Sequence, residues 1–255
     1  MSGWLAPIAR ALDERHEPLG IFMRDDDAGW EDERLFALLD LVAGHRLAID
    51  LAVIPTAVEP ALAVALRTRI AAGARIGLHQ HGYSHANHEP QGRPCEFGPS
   101  RSAAEQTLDI ERGQLLLRQQ FGTAIDHIFT PPWNRCTADT TRALELAGLA
   151  ALSRDRSALA MATNGLVECP IDVDWFAKSR GARLDATEWA GSCAAAVRRA
   201  GRSLGLMLHH AVTTPEDLGR LDALLRLLDV HPLVRGVAMR DVVADLRAER
   251  RMTCA

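Results

Sequence analysis

Residues 75–88 of the chain read Arg-Ile-Gly-Leu-His-Gln-His-Gly-Tyr-Ser-His-Ala-Asn-His and hold four of its ten histidines. The first seven of these residues predict a strand, and Gly82 permits the chain to turn directly after it. His81 and His85 lie four residues apart across that turn, so both imidazoles can bind one cation. Asp27, at the end of the segment Arg24-Asp-Asp-Asp27, supplies a third ligand if the fold joins the two segments. We expect Zn²⁺ at such a site, with Co²⁺, Ni²⁺ and Mn²⁺ as alternatives.

Short apolar segments alternate with helical patterns along the chain. This alternation predicts an α/β fold, a parallel sheet closed or nearly closed as a distorted barrel of seven or eight strand–helix units. No repeat or linker-like segment divides the sequence, so we expect a single domain over residues 1–255. The predicted strands are 21–23, 47–54, 75–81, 127–130, 151–153, 167–173, 204–209 and 237–239. The predicted helices are 31–44, 60–72, 102–120, 137–147, 187–200 and 215–229, followed by a polar terminal helix.

The composition of the chain indicates which classes of molecule it binds. With 255 residues and 47% hydrophobic residues the chain can bury a large core, and its net charge of -4 does not favour nucleic acid or an anionic membrane. The five cysteines include no C-x-x-C pair, which is typical of reduced thiols. We find no signal-peptide pattern and no stretch of ~20 apolar residues. We therefore expect a cytoplasmic protein that acts on a small-molecule or sugar substrate; the oligomeric state stays open.

Reactive residues follow the predicted strands at their carboxyl ends, where loops of α/β barrels converge into active sites. Five groups occupy such positions: residues 25–27, the histidine cluster, Pro131-Pro132-Trp133-Asn134, residues 172–175, and His209-His210. Together they indicate one site at that edge of the sheet.

The order of these motifs resembles the polysaccharide deacetylase family, also called the NodB-homology or carbohydrate esterase family 4 fold. The resemblance covers residues 21–210 and includes an acid pair, His-x-x-x-His, Pro-Pro-aromatic, Asp174-Trp175 and the segment 206–209 that ends in His209. It implies a distorted (β/α) barrel that removes acetyl groups from N-acetylated sugars. It also implies that Asp26 is the catalytic base and that Asp27, His81 and His85 bind one divalent metal.

The chain departs from that family in two places. The third motif begins, in the family, with an arginine that contacts the base; here that arginine is missing, and Arg24 and Arg135 are the candidates to replace it. Because residues 25–27 are three consecutive aspartates, Asp25-Asp26 is an alternative to Asp26-Asp27 as the functional acid pair. Strand alternation points Asp25 and Asp27 to one side and Asp26 to the other, unless the strand ends there.

From the resemblance we assign a hydrolytic mechanism in which metal-bound water attacks the acetyl carbonyl and Asp26 accepts its proton. His209 then protonates the leaving amine, and Asp174 orients the His209 imidazole. The expected substrate-binding residues are Trp133, Trp175, Asn134, His79 and Tyr83, and the alternates for the catalytic roles are Asp25 and His210. Two other functions stay open: an amidase for non-sugar substrates, and a protein that binds the metal without turnover.

Overall fold

The computed structural model describes residues 3–253. The strands are β1 (Leu19–Ala28), β2 (Ile49–Val53), β3 (Ile76–His81), β4 (Ile125–Thr130), β5 (Ala151–Leu152), β6 (Val167–Glu168), β7 (Val173–Asp174), β8 (Lys178–Ser179), β9 (Ala182–Arg183), β10 (Ser203–Leu208) and β11 (Val234–Gly236). The helices are α1 (Ala6–Asp13), α2 (Asp32–Ala43), α3 (Pro60–Ala71), α4 (Ala103–Phe121), α5 (Ala138–Leu146), α6 (Ala186–Arg199), α7 (Pro215–Val230) and α8 (Met239–Thr253).

Nine of these strands form one parallel sheet in the order β6-β5-β4-β3-β2-β1-β10-β7, with β11 beside the first residues of β1. Strand β1 is central: it pairs with β10 from Gly20 to Asp25 and with β2 from Met23 to Ala28. Residues 167–174 begin beside β5 and end beside β10, so one segment reaches both ends of the sheet. The sheet is therefore curled into a distorted barrel, and the predicted fold class is confirmed.

Alternate residues of each strand pack on opposite sides of the sheet. On β1, Leu19, Ile21 and Met23 join the apolar layer under the helices. Phe22 instead packs inside the barrel, in an apolar cluster with residues of β4, β5, β6 and β10. Met239 of α8 belongs to the same cluster. Four of the eight helices in residues 3–253 begin at a side chain that caps the first turn from the N-cap position. Capping boxes start α4, α5, α6 and α7 at Ser102, Thr137, Asp185 and Thr214.

Three details of the secondary structure differ from the sequence prediction. The strand predicted at 237–239 is wrong: β11 ends at Gly236 and Met239 begins α8, because the Met239 N–H is capped by the Asp50 carboxylate at 2.9 Å. The strand predicted at 167–173 is interrupted and gives the two short strands β6 and β7. Helix α1 and the hairpin β8–β9 were not predicted. Within residues 3–253 no helix combines the length and apolar character needed to span a bilayer.

Candidate metal centre

The acidic segment lies at the carboxyl end of β1, where the backbone leaves the regular strand geometry. Asp27 has a φ of 72°, in the left-handed region, and the register between β1 and β2 shifts between Asp25 and Ala28. Such an irregularity re-aims a side chain that strict alternation would send to the other face. Asp26 and Asp27 therefore both border the same site although they are adjacent in sequence.

Asp27, His81 and His85 form one cluster whose ligand atoms all lie within 4.8 Å of one another. The Asp27 Oδ1 atom is 3.2 Å from Nε2 of His81 and 3.2 Å from Nε2 of His85. Ligand atoms at the corners of a tetrahedron with bonds of ~2.0 Å lie about 3.3 Å apart. The distances from Asp27 to each of the two histidines thus match the spacing of zinc ligands. Because a metal usually takes four or more ligands, three leave room for water or substrate.

The His81 ring is fixed in the tautomer that metal binding requires. Its Nδ1 lies 3.0 Å from the Thr130 carbonyl oxygen, which can only accept, so Nδ1 carries the hydrogen. In the neutral ring the Nε2 lone pair then faces the Asp27 carboxylate, so the two groups are placed to share a bound cation. This pattern, a ligand histidine whose other nitrogen donates to a carbonyl, is common around bound metals.

Asp26 is held by Arg24. The Arg24 guanidinium is fully buried and makes two hydrogen bonds to Asp26, from Nε at 2.8 Å and from Nη2 at 2.9 Å. It also donates to Ser153 Oγ at 2.8 Å and to Asn134 Oδ1 at 2.9 Å. Burial alone would raise the pKa of Asp26, but the Arg24 guanidinium, with smaller contributions from His81 and His209, lowers it below its ordinary value. Asp26 is therefore ionised at neutral pH.

Of the two sequence candidates to replace the missing third-motif arginine, Arg24 is the one that contacts Asp26. Arg135, the other candidate, instead donates to the Pro94 carbonyl at 2.7 Å. Because Arg24 and Asp26 are two residues apart on a strand, their side chains share a face without any help from the rest of the fold.

Asp25 faces away from the cluster. Its carboxylate accepts the backbone N–H of His210 at 2.9 Å and the His210 Nδ1–H at 2.5 Å, while Nε2 of His210 donates to the Trp30 carbonyl at 2.7 Å. Burial would lower the pKa of His210, but the Asp25 carboxylate outweighs it and raises the pKa to about 9. Both side chains are fully buried and join β1 to the turn after β10. The structure thus gives these two alternates a mutual partner rather than the metal site.

His209 lies across the site from the cluster, with Nε2 3.9 Å from Asp26 Oδ2. Its Nδ1 is buried and has no hydrogen-bond partner within the described residues. Asp174 does not hold this nitrogen, contrary to the role predicted for it: its Oδ1 accepts the Phe176 N–H at 2.8 Å. Burial raises the pKa of Asp174, and nearby His209 partly opposes that rise. Asp174 therefore lies near His209 without orienting it directly.

The aromatic residues divide between site and core. The His85 ring lies between Trp30 and Trp133, with centroids 4.8 Å and 4.5 Å away. Trp30, 40% exposed, was not predicted, although it follows Asp27 by only three residues. Trp175 is not a pocket wall: it is 4% exposed and packs edge-on against Trp189 at 4.7 Å. Strand β7 ends at Asp174, and the turn that follows places Trp175 in the apolar core rather than at the site.

The remaining predicted substrate residues mostly brace the site. His79 is fully buried and its Nε2 contacts Thr130 Oγ1 at 2.9 Å; burial, with the Arg24 charge, lowers its pKa to about 3 and keeps it neutral. Asn134, whose φ is 57°, accepts from Arg24. The half-buried Tyr83 packs against the apolar cluster that contains Phe97. Burial of His79 therefore excludes it from contact with a substrate.

Comparison with known proteins identifies the fold. No protein-family model matches the sequence, and no curated protein matches it. Among solved structures, a proposed polysaccharide deacetylase from Mycobacterium smegmatis superposes with a TM-score of 0.71 at 17% identity, covering 93% of each chain. A family 4 acetyl xylan esterase from Clostridium thermocellum, in complex with cobalt, has a TM-score of 0.58 at 15% identity and covers 88% of this chain and 90% of its own.

A family 4 pseudoenzyme from Bacillus anthracis is also similar, with a TM-score of 0.54 at 13% identity over 91% of this chain and 66% of its own. At such identities the likeness shows the fold. The chain therefore has the NodB-like barrel of the carbohydrate esterase family 4 proteins, as the motif order predicts. Because both enzymes and a pseudoenzyme share this barrel, its chemistry has to be argued from the residues of the site.

Proposed function

We propose that this protein is a metal-dependent hydrolase of amide bonds, and that it removes the acetyl group from an N-acetylated sugar or a similar small amide. The observation that carries the proposal is the Asp27–His81–His85 cluster, whose ligand atoms lie within 4.8 Å of one another, beside the ionised Asp26 carboxylate. A binding site alone would not need a second, arginine-held carboxylate next to its metal ligands.

A divalent metal bound by Asp27, His81 and His85 would supply a Lewis acid that activates water and polarises the acyl carbonyl. Asp26 accepts the proton of the attacking water as a general base. Arg24 keeps Asp26 deprotonated and limits its motion. His209, on the far side of Asp26, is placed to protonate the departing amine. Trp133 and the exposed Trp30 flank His85 and offer aromatic surface to a substrate on that side of the cluster.

The alternative is a protein that binds the metal without catalysing a reaction. Its support in the sequence was the missing arginine of the third motif, and Arg24 supplies an equivalent contact to Asp26 from the same strand. This contact favours the enzyme over a binding protein. We propose zinc as the metal, with cobalt, nickel and manganese as alternatives, and a panel of acetylated compounds distinguishes the possible substrates.

The test is an acetate-release assay with zinc- or cobalt-loaded protein, using free N-acetyl sugars, their oligomers and acetylated non-sugar amines. We expect turnover of at least one sugar. Asp26→Asn should lower kcat by a factor of about 10² to 10⁴ while metal content is unchanged. Asp40→Asn, which alters an exposed acid on α2, is the matched control and should retain full activity. A protein that binds metal but hydrolyses no member of the panel would favour the binding function, and turnover of non-sugar amides alone would favour the amidase.

A further inference from the structure

The turn between the two metal-ligand histidines rests on a buried carboxylate, Glu96, from the loop 12 residues further along the chain. Glu96 is fully buried and accepts three hydrogen bonds. Its Oε2 accepts the Tyr83 N–H at 3.2 Å, and its Oε1 accepts the Ser84 N–H at 2.7 Å and the Ser84 hydroxyl at 3.1 Å. These donors belong to the residues between His81 and His85, so one side chain holds the whole turn.

Space around this carboxylate is closely filled. A Cβ atom on Gly82 would lie 2.1 Å from Glu96 Oε2 and 2.6 Å from the Pro132 ring, so only glycine fits beside it. Gly82 has a φ of 56°, and His85 has a φ of 55°, which is unfavourable for a residue with a side chain. His85 therefore depends on its surroundings to hold the conformation that aims Nε2 at Asp27.

Glu96 is itself anchored firmly. The next residue, Phe97, is fully buried and packs edge-on against Phe129 with centroids 5.3 Å apart. On the other side, the Cys95 N–H donates to Asn87 Oδ1 at 2.9 Å and the Cys95 carbonyl accepts from the His88 N–H at 3.1 Å. The loop that carries Glu96 is thus fixed both to the core and to the residues just after His85.

We propose that Glu96 is a positioning residue that orders the turn from Gly82 to Ser84 and thereby sets the metal affinity of His85. The inference rests on the proposed metal site. Glu96 does not ligate the cation: both of its oxygens are occupied by donors of the turn. Its role is to fix the relative placement of His81, which is set by β3, and of His85, which is set by the turn.

The experiment measures Co²⁺ affinity and the visible absorption spectrum of the Co²⁺ protein. Glu96→Gln keeps the size of the side chain but turns an amide group toward backbone N–H donors. We expect Co²⁺ to bind about 10- to 100-fold more weakly, the loss typical when a group that orients a ligand is removed, with an altered absorption spectrum. Ser84→Ala removes one of the three hydrogen bonds and should weaken binding about threefold.

Glu89→Gln is the matched control. Glu89 lies in the same loop and accepts the Ser100 N–H at 3.0 Å and the Ser100 hydroxyl at 2.7 Å, but it does not contact the turn. Its Co²⁺ affinity and spectrum should match those of the unaltered protein. The inference is overturned if Glu96→Gln binds Co²⁺ normally, or if Glu89→Gln loses affinity equally. If Glu96→Gln does not fold, Ser84→Ala provides the test, and a Co²⁺ affinity equal to that of the unaltered protein overturns the inference. Absence of Co²⁺ binding by the unaltered protein would instead refute the metal site itself.

Discussion

The Arg24–Asp26 pair makes the sharpest energetic prediction, because both groups are almost completely removed from water. The side chains are 0% and 4% exposed and joined by two hydrogen bonds. We consider the substitutions Arg24→Met and Asp26→Asn, singly and together. Arg24→Met leaves a buried carboxylate without its cation, and Asp26→Asn leaves a buried guanidinium without its anion.

Removing one partner of a buried ion pair costs about 3–5 kcal/mol, whereas replacing both can be close to neutral. Arg24 also donates to Ser153 and Asn134, and these contacts are lost in every variant that lacks the arginine. The double variant should therefore be less stable than the unaltered protein. Its loss of stability should be about 3 kcal/mol smaller than the sum of the losses in the two single variants.

The assay is urea unfolding at pH 7.5 with excess EDTA, so that bound metal does not contribute to stability. Free energies of unfolding for the four proteins give the coupling energy directly. A coupling below about 0.5 kcal/mol would refute the reasoning, because two groups that close and that buried cannot act independently. Neither variant lacking Asp26 should regain hydrolysis, whatever its stability.

Two further predictions concern stability away from the reacting groups. Burial raises the pKa of Asp50 to about 7. Between pH 4 and 7 the folded protein therefore keeps a proton on Asp50 that the unfolded chain has released. This difference in proton binding stabilises the folded state by about 4 kcal/mol below pH 4, and the stabilisation is lost as the pH rises to 7. Asp50→Asn should remove that part of the pH dependence of unfolding between pH 4 and 8, while Asp40→Asn should not; an unchanged slope contradicts the burial argument. His210→Gln leaves the buried Asp25 carboxylate without its charged partner and should cost about 3 kcal/mol in urea unfolding, with metal content unchanged; loss of the metal would mean that this pair reaches the site.

The sequence predicts correctly those features that depend on residues close together in the chain. The alternation of apolar segments predicts the barrel, and Gly82 after a strand predicts the turn that brings His81 and His85 together. The pairing of Arg24 with Asp26 follows from their spacing on one strand. The burial of Trp175 does not follow from this rule, because β7 ends at Asp174 and Trp175 enters the core through the turn after it.

Other features depend on contacts beyond the reach of strand or helix periodicity. The left-handed backbone at Asp27 accompanies a register shift against β2, so residues near Asp27 alone cannot show that it faces the site together with Asp26. Glu96 lies in a loop without periodicity, and its importance appears only when the loop folds back on the turn. Asp25 finds His210, 185 residues away, only because β1 pairs with β10.

The central claim is that Asp27, His81 and His85 hold one divalent cation. The most direct test is elemental analysis of the purified protein beside two single variants, His81→Ala and His88→Ala. His88 belongs to the same histidine-rich segment but is exposed and outside the cluster. We expect close to one zinc, cobalt, nickel or manganese ion per chain, retained in His88→Ala and lost in His81→Ala. A protein that binds no metal when supplied with these ions, or a His81→Ala variant that keeps its full complement, would contradict the account.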